Sequence, residues 1–168
     1  EFDDKMLSNH TMGQKFHRLG HPGNTGDGVR MAQAAGADLW HMNALSCPLG
    51  LVVPGLKTAL QINMLAPSHI YVDQDGKRFV NENANRKVRA DAILVEQGKG
   101  LKAVAVANKA ATASLEGRRP GFMDKALKDN LIKQYDSLDA LAADWKMPAD
   151  TLKASIAQLN GYFKDGKD

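Results

Sequence analysis

An α+β fold is what the residue pattern predicts, on three observations. The segment His69-Ile-Tyr-Val-Asp73 is β-branched or aromatic and reads as a strand, and so does Leu101–Asn108 (LKAVAVAN). Residues Leu152, Ile156, Leu159 and Phe163 recur at helical spacing and mark an amphipathic helix at the end of the chain. With 168 residues, 43% hydrophobic and 24% charged, the chain can bury one core of ordinary globular type.

From the N-terminus, Met6, Leu7, Met12 and Phe16 predict a short helix over 4–16, capped by Asp3 or Asp4. A Gly/Pro-rich loop follows over 17–25. His17 and His21 stand four apart within it, but Gly20 and Pro22 oppose the helix that a paired metal site would need, and no third ligand is evident. Thr25-Gly26-Asp27-Gly28 opens a small-residue helix that stops at Gly36. Leu39–Leu45 reads as a strand, Ser46–Gly55 as a loop, and Leu56–Leu65 as a helix or an apolar lining segment.

Asp75-Gly76 tolerates the positive φ of a tight turn, so 69–73 and Arg78-Phe79-Val80 predict a hairpin. Val88, Ala92, Ile93 and Val95 then give a helix over about 86–97, with Arg86 at or near its start. Gly98-Lys99-Gly100 breaks the chain before the strand at 101–108, and 109–136 reads as short helices around a break at 117–121. Ser137 is placed to cap a helix carrying Leu138, Leu141 and Trp145; Asp150 is placed to cap the last helix, which Asp165-Gly166 ends.

Several function classes are disfavoured. The net charge of +3 is small, and the densest basic stretch, Lys99 to Lys125, has no interleaved aromatic residues, which argues against nucleic acid. No apolar run approaches the roughly 20 residues of a membrane span. Cys47 is the single cysteine, so an intrachain disulfide and a cysteine zinc site are both excluded.

The segment Gly76-Lys-Arg-Phe-Val-Asn-Glu82, three residues and then Arg86 resembles the cap-domain signature of the fumarate reductase and succinate dehydrogenase flavoprotein family. TGDG followed by a helix ending in Ala-Gly-Ala resembles the same family, and the terminal stretch from Ser137 to Asp168 is similar to the end of its cap. The resemblance implies a cap (clamp) domain of α+β type at 43–168, preceded at 1–42 by a segment of the FAD-binding domain. It implies that Arg86 is the proton donor or acceptor facing the flavin and that Asp27 approaches the FAD. Arg89, one turn on, is the competing candidate, with a surface or phosphate-facing charge as its expected role.

No G-x-G-x-x-G occurs, so the chain is expected to be a portion of a flavoenzyme, inactive alone and without bound FAD. Its expected partners are the remainder of the flavin domain and an unsaturated small-molecule substrate. The reaction implied is reduction or formation of an activated C=C bond, in which the flavin handles hydride and the protein a proton. Arginine is an unusual acid, its ordinary pKa being above about 12, so Arg86 either works as a neutralisable acid or orients substrate by charge. Two departures bear on substrate. Where fumarate-type members carry His-Pro, this chain has Cys47-Pro48 one residue out of register; where they carry Thr-Glu and then Arg, it has Gln61-Ile-Asn-Met-Leu65. Both argue against a dicarboxylate and for a more apolar acceptor, steroid-like or enoate. The alternative class is a stand-alone, non-enzymatic α+β binding module whose loop arginine is structural.

Overall fold

The computed structural model describes residues 3–10, 18–44, 49–51, 60–61, 64 and 68–166. Helix and strand are mixed, and the chain divides into two compact units, Glu1–Ile62 and Asn63–Asp168. That border lies twenty residues beyond the expected one at 42/43.

In the first unit, α1 (Asp4–His10) begins after Asp3, whose carboxylate accepts the Met6 amide at 2.9 Å. The expected continuation of this helix to 16, and His17, lie outside the described residues. The helix α2 (Asp27–Ala34) starts from Gly26 at φ 84° and closes before Gly36 at φ 92°. An ion pair of Arg30 with Asp3 ties α2 to the start of α1, Arg30 also pairs with Asp27 within α2, and Arg18 pairs with Asp4 of α1. Leu39–Ala44 is not a strand. His41 takes a positive φ of 54° and its carbonyl accepts the Ala44 amide at 2.9 Å, so the backbone turns where a ladder would need it extended. In the segment expected as loop and helix, β1 (Gly50–Leu51) pairs antiparallel with β2 (Leu60–Gln61).

The second unit is built on β3 (His69–Val72), all four residues of which are buried. Its ladder partner is β4 (Val104–Ala107), antiparallel, with Tyr71 opposite Ala105. The predicted return strand at 78–80 shrinks to one bridge between Val72 and Arg78. On that edge of β3 a side chain replaces the strand: the Glu82 carboxylate accepts the Tyr71 amide at 2.9 Å. A buried edge amide must find an acceptor, and a carboxylate supplies a stronger one than a carbonyl.

Ile70 and Val72 face one side of the sheet, as the period of two requires. There they pack with Val104, Leu141, Ala142, Met147, Leu152 and Leu159 into the core, under the helical pair α6 (Leu138–Trp145) and α7 (Ala149–Asp165). Burying a leucine or valine fully contributes about 1.5–3 kcal/mol, so this cluster carries most of the unit's apolar stabilisation. Ser137 caps α6 as predicted, accepting the Ala140 amide at 3.1 Å. For α7 the expectation fails: Pro148 occupies the cap position, and Asp150 lies inside the first turn, where its charge complements the helix dipole. In sequence α3 (Arg86–Gly98) links β3 to β4, and α4 (Lys109–Arg118) and α5 (Phe122–Lys128) follow β4 before the helical pair.

Candidate functional site

The turn after β3 is bolted to the helical pair. Gly76 takes φ 77°, its carbonyl accepts the Ser155 hydroxyl at 2.8 Å, and a Cβ there would stand 3.0 Å from the backbone nitrogen of Leu152. Beside it, the Gln74 amide donates to the Trp145 carbonyl at 2.7 Å. Glycine is therefore required at 76 both by dihedral and by space.

Two residues on, Arg78 forms a forked ion pair with Glu82: Nε donates at 3.0 Å and Nη2 at 2.6 Å to the same carboxylate oxygen. The two side chains are 12% and 1% exposed, which puts the pair among buried ones, where loss of one partner costs about 3–5 kcal/mol. The Arg78 guanidinium also lies 5.9 Å from the Tyr162 ring centroid of α7, within cation–π range. In the sequence Glu82 stands only as the end of the motif from Gly76, although an Arg and a Glu four apart around a turn is a pattern that can mark such a pair.

A short turn, in which the Ala84 amide donates to Asn81 O at 3.1 Å, carries the chain from Glu82 to Asn85. Asn85 caps α3 by accepting the Val88 amide at 3.0 Å, and Arg86 is the first helical residue. Arg86 is exposed and has no carboxylate partner among the described residues. It shares the first turn with Lys87 and Arg89, and that turn contains no acid. Cations there oppose the helix dipole at about 0.3–1 kcal/mol each, so this placement is unfavourable for the helix itself. Lys87 offsets its share by pairing with Asp91 at 2.5 Å.

Arg89 is not the surface or phosphate-facing charge expected of it. It is half-buried, its Nε has no hydrogen-bond partner among the described residues, and its charge acts on the hydroxyl of buried Tyr71. Burial pushes the Tyr71 hydroxyl pKa up, against the opposing pull of Arg89. Tyr71 in turn meets the edge of His69 at a centroid distance of 5.1 Å.

Asp27 lies in the first unit, as the first residue of α2. Its carboxylate accepts the Thr25 hydroxyl at 2.7 Å and Arg30 Nη2 at 2.6 Å, and these two contacts hold its pKa below the usual carboxylate range. The side chain is 70% exposed, and a Cβ on neighbouring Gly28 would meet nothing within 4 Å. Such a group fits a hydroxyl or N–H of a cofactor and repels a phosphate.

Among the described residues no cluster of three or more His, Cys, Asp or Glu could hold a metal, and no helix is long and apolar enough to cross a membrane. Cys47-Pro48 and most of 61–65 lie outside the described residues. A recess of about 360 Å³ beside Gln74, Lys102, Lys133 and Trp145 has its polar groups engaged with one another, Lys133 with Asp144 at 2.6 Å and Trp145 Nε1 with Tyr135 at 3.0 Å.

The chain is 38% identical over 106 residues to the acrylate reductase flavoprotein subunit of Shewanella woodyi, covering 61% of this chain and 20% of that protein. It is 30% identical over 150 residues to NADH:acrylate oxidoreductase of Vibrio harveyi, covering 88% and 14%. To the cytochrome-type fumarate reductase of Shewanella frigidimarina it is 30% identical over 156 residues, covering 91% and 25%. The chain thus spans a quarter or less of these relatives. Among solved structures, the 3-ketosteroid Δ1-dehydrogenase of Sterolibacterium denitrificans, in complex with 1,4-androstadiene-3,17-dione, superposes with a TM-score of 0.67 at 24% identity, covering 99% of this chain and 32% of that one. The open conformation of a flavocytochrome c3 fumarate reductase gives 0.63 at 23%, covering 99% and 28%. Both are likenesses of fold. The family model described as FAD binding domain matches residues 4–168, and the chain belongs to that family, the FAD-dependent oxidoreductases of the fumarate reductase type.

Proposed function

We propose that this chain supplies the substrate-side cap, with a short flavin-side segment, of an FAD-dependent oxidoreductase that reduces an activated C=C bond, and that Arg86 handles the proton. The observation that carries the reading is Arg86 itself: an exposed guanidinium at the first residue of α3, with no counter-ion among the described residues, in a turn whose three cations work against the helix. A local rule broken without a stabilising return marks a position kept for function. Family membership favours this over a stand-alone binding module.

FAD, when bound, would supply the hydride for one carbon of the double bond, and the protein would have to deliver a proton to the neighbouring carbon. Arg86 is the group assigned to that proton, and its charge orients the activating group of the substrate. Asp27, with Thr25 and Arg30 fixing its carboxylate, would accept a hydrogen bond from a hydroxyl or N–H of the cofactor. For substrate class, a small enoate fits better than a dicarboxylate. The departures at 47–48 and 61–65 remove the residues that a second carboxylate would need, and two of the relatives are named for acrylate.

The test is made in the full-length FAD-loaded enzyme, by stopped flow, on each half-reaction. Arg86→Ala is expected to slow C=C reduction by about 10²- to 10⁴-fold, the usual worth of a general acid, and to leave flavin reduction by its donor nearly unchanged. Arg86→Lys is expected to rescue little, because a point charge on a flexible stem does not reproduce the planar fork. Lys87→Ala, in the same turn and already paired with Asp91, is expected to stay within a few-fold of the parent. If Arg86→Ala reduces substrate normally while Arg89→Ala does not, the assignment is wrong by one helical turn.

A further inference from the structure

Glu82 sits where three constraints meet. Its buried carboxylate takes the Tyr71 amide of β3 and two N–H groups of Arg78, and Arg78 is fixed by its bridge to Val72 and its seat over Tyr162. From this point only the Asn81–Ala84 turn and the Asn85 cap separate the clamp from Arg86. The Asn83 amide is held by the Asn81 side chain at 2.7 Å and the Val88 amide by Asn85, so the connecting residues have little freedom to absorb a shift. A forked charge pair fixes direction as well as distance, which a single neutral hydrogen bond does not.

We propose that Glu82 is the positioning residue for Arg86: its clamp on Arg78 and the Tyr71 amide sets where α3 begins, and so where the guanidinium stands against the substrate. This rests on the reading of Arg86 given above and adds a residue that does its work through Arg86 from inside the fold. Chemistry of this kind needs its groups held within about 0.5 Å, and a displacement of about 1 Å can cost 10²-fold.

The experiment uses the full-length FAD-loaded enzyme carrying Glu82→Gln, and separately Arg78→Met with Glu82→Gln. The paired change removes both charges together while the glutamine oxygen still accepts the Tyr71 amide, so it carries the test if the single variant fails to fold. Expected are a fall of about 10- to 100-fold in kcat for C=C reduction with KM within a few-fold, unchanged flavin reduction, and faster hydrogen exchange at the Val88 amide. In an Arg86→Ala background the same changes should cost nearly nothing more, because a positioning residue acts only through the group it positions. An equal loss in both backgrounds, or no loss in either, overturns the inference and leaves the Arg86 reading standing. Normal C=C reduction by Arg86→Ala alone sinks the Arg86 reading, and this inference with it.

Discussion

Gly76 and Gly100 share almost the same dihedral, φ 77° and 76°, but not the same surroundings. A Cβ on Gly100 meets nothing within 4 Å, whereas one on Gly76 would stand 3.0 Å from Leu152 N and 3.2 Å from its Cα, both backbone atoms of α7. Gly100→Ala should therefore cost only the left-handed conformation, about 1–2 kcal/mol. Gly76→Ala should cost that and the displacement of α7, about 3 kcal/mol in all. Urea denaturation of the two variants checks the ranking; equal costs would mean that α7 yields freely. At this scale the turn at Asp75-Gly76 was legible because glycine's dihedral freedom is a local property. The role of Glu82 was not, because its partners are a strand amide eleven residues back and a guanidinium that a sequence pattern alone leaves in solvent.

The helices were legible where a cap and an apolar spacing agreed, and less so where tertiary context chose. Ser137 caps as expected, while at α7 the cap position falls to Pro148, which makes no side-chain cap hydrogen bond, and Asp150 lies inside the first turn. The strand expected at 39–45 failed for a reason of its own. Strand propensity records how well side chains fit a pleated, half-buried surface, and His41 turns the backbone before any ladder can form. The helix that carries the proposed proton donor, α3, depends on Asn85. Asn85→Ala is expected to destabilise by about 1 kcal/mol through loss of the bond to the Val88 amide. Asn85→Asp should stabilise by about 0.3–1 kcal/mol, because the new carboxylate keeps the cap and meets the acid-free first turn of Arg86, Lys87 and Arg89. The same carboxylate would neutralise Arg86, so C=C reduction in the full-length enzyme should slow while thermal stability rises. Parallel melting and turnover measurements on one variant check both signs, and faster turnover would contradict the role given to Arg86.

At the scale of the molecule, the sequence showed the mixed architecture through strands and an amphipathic helix that bury one another in Asn63–Asp168, and the family through motifs spread over almost the whole chain. The compact units divide after Ile62 and not at 42/43 because Gly50–Leu51 and Leu60–Gln61 pair with each other inside the first unit, a contact that two-residue strands do not announce in sequence. In the first unit α2 buries none of its residues, and Asp27, the residue proposed to meet the cofactor, can accept a hydrogen bond but repels phosphate. A charge-assisted hydrogen bond contributes about 1.5–3 kcal/mol net, and millimolar affinity already requires about 4.1 kcal/mol after the cost of association has been met. The 168-residue chain by itself is therefore expected to purify colourless and to bind FAD no better than millimolar. Absorbance at flavin wavelengths after gel filtration is the measurement. A yellow protein that kept its flavin through the column would mean that these residues hold the dinucleotide without a glycine-rich cradle, and the hydrogen bond proposed for Asp27 would have to be joined by a phosphate contact elsewhere in the chain.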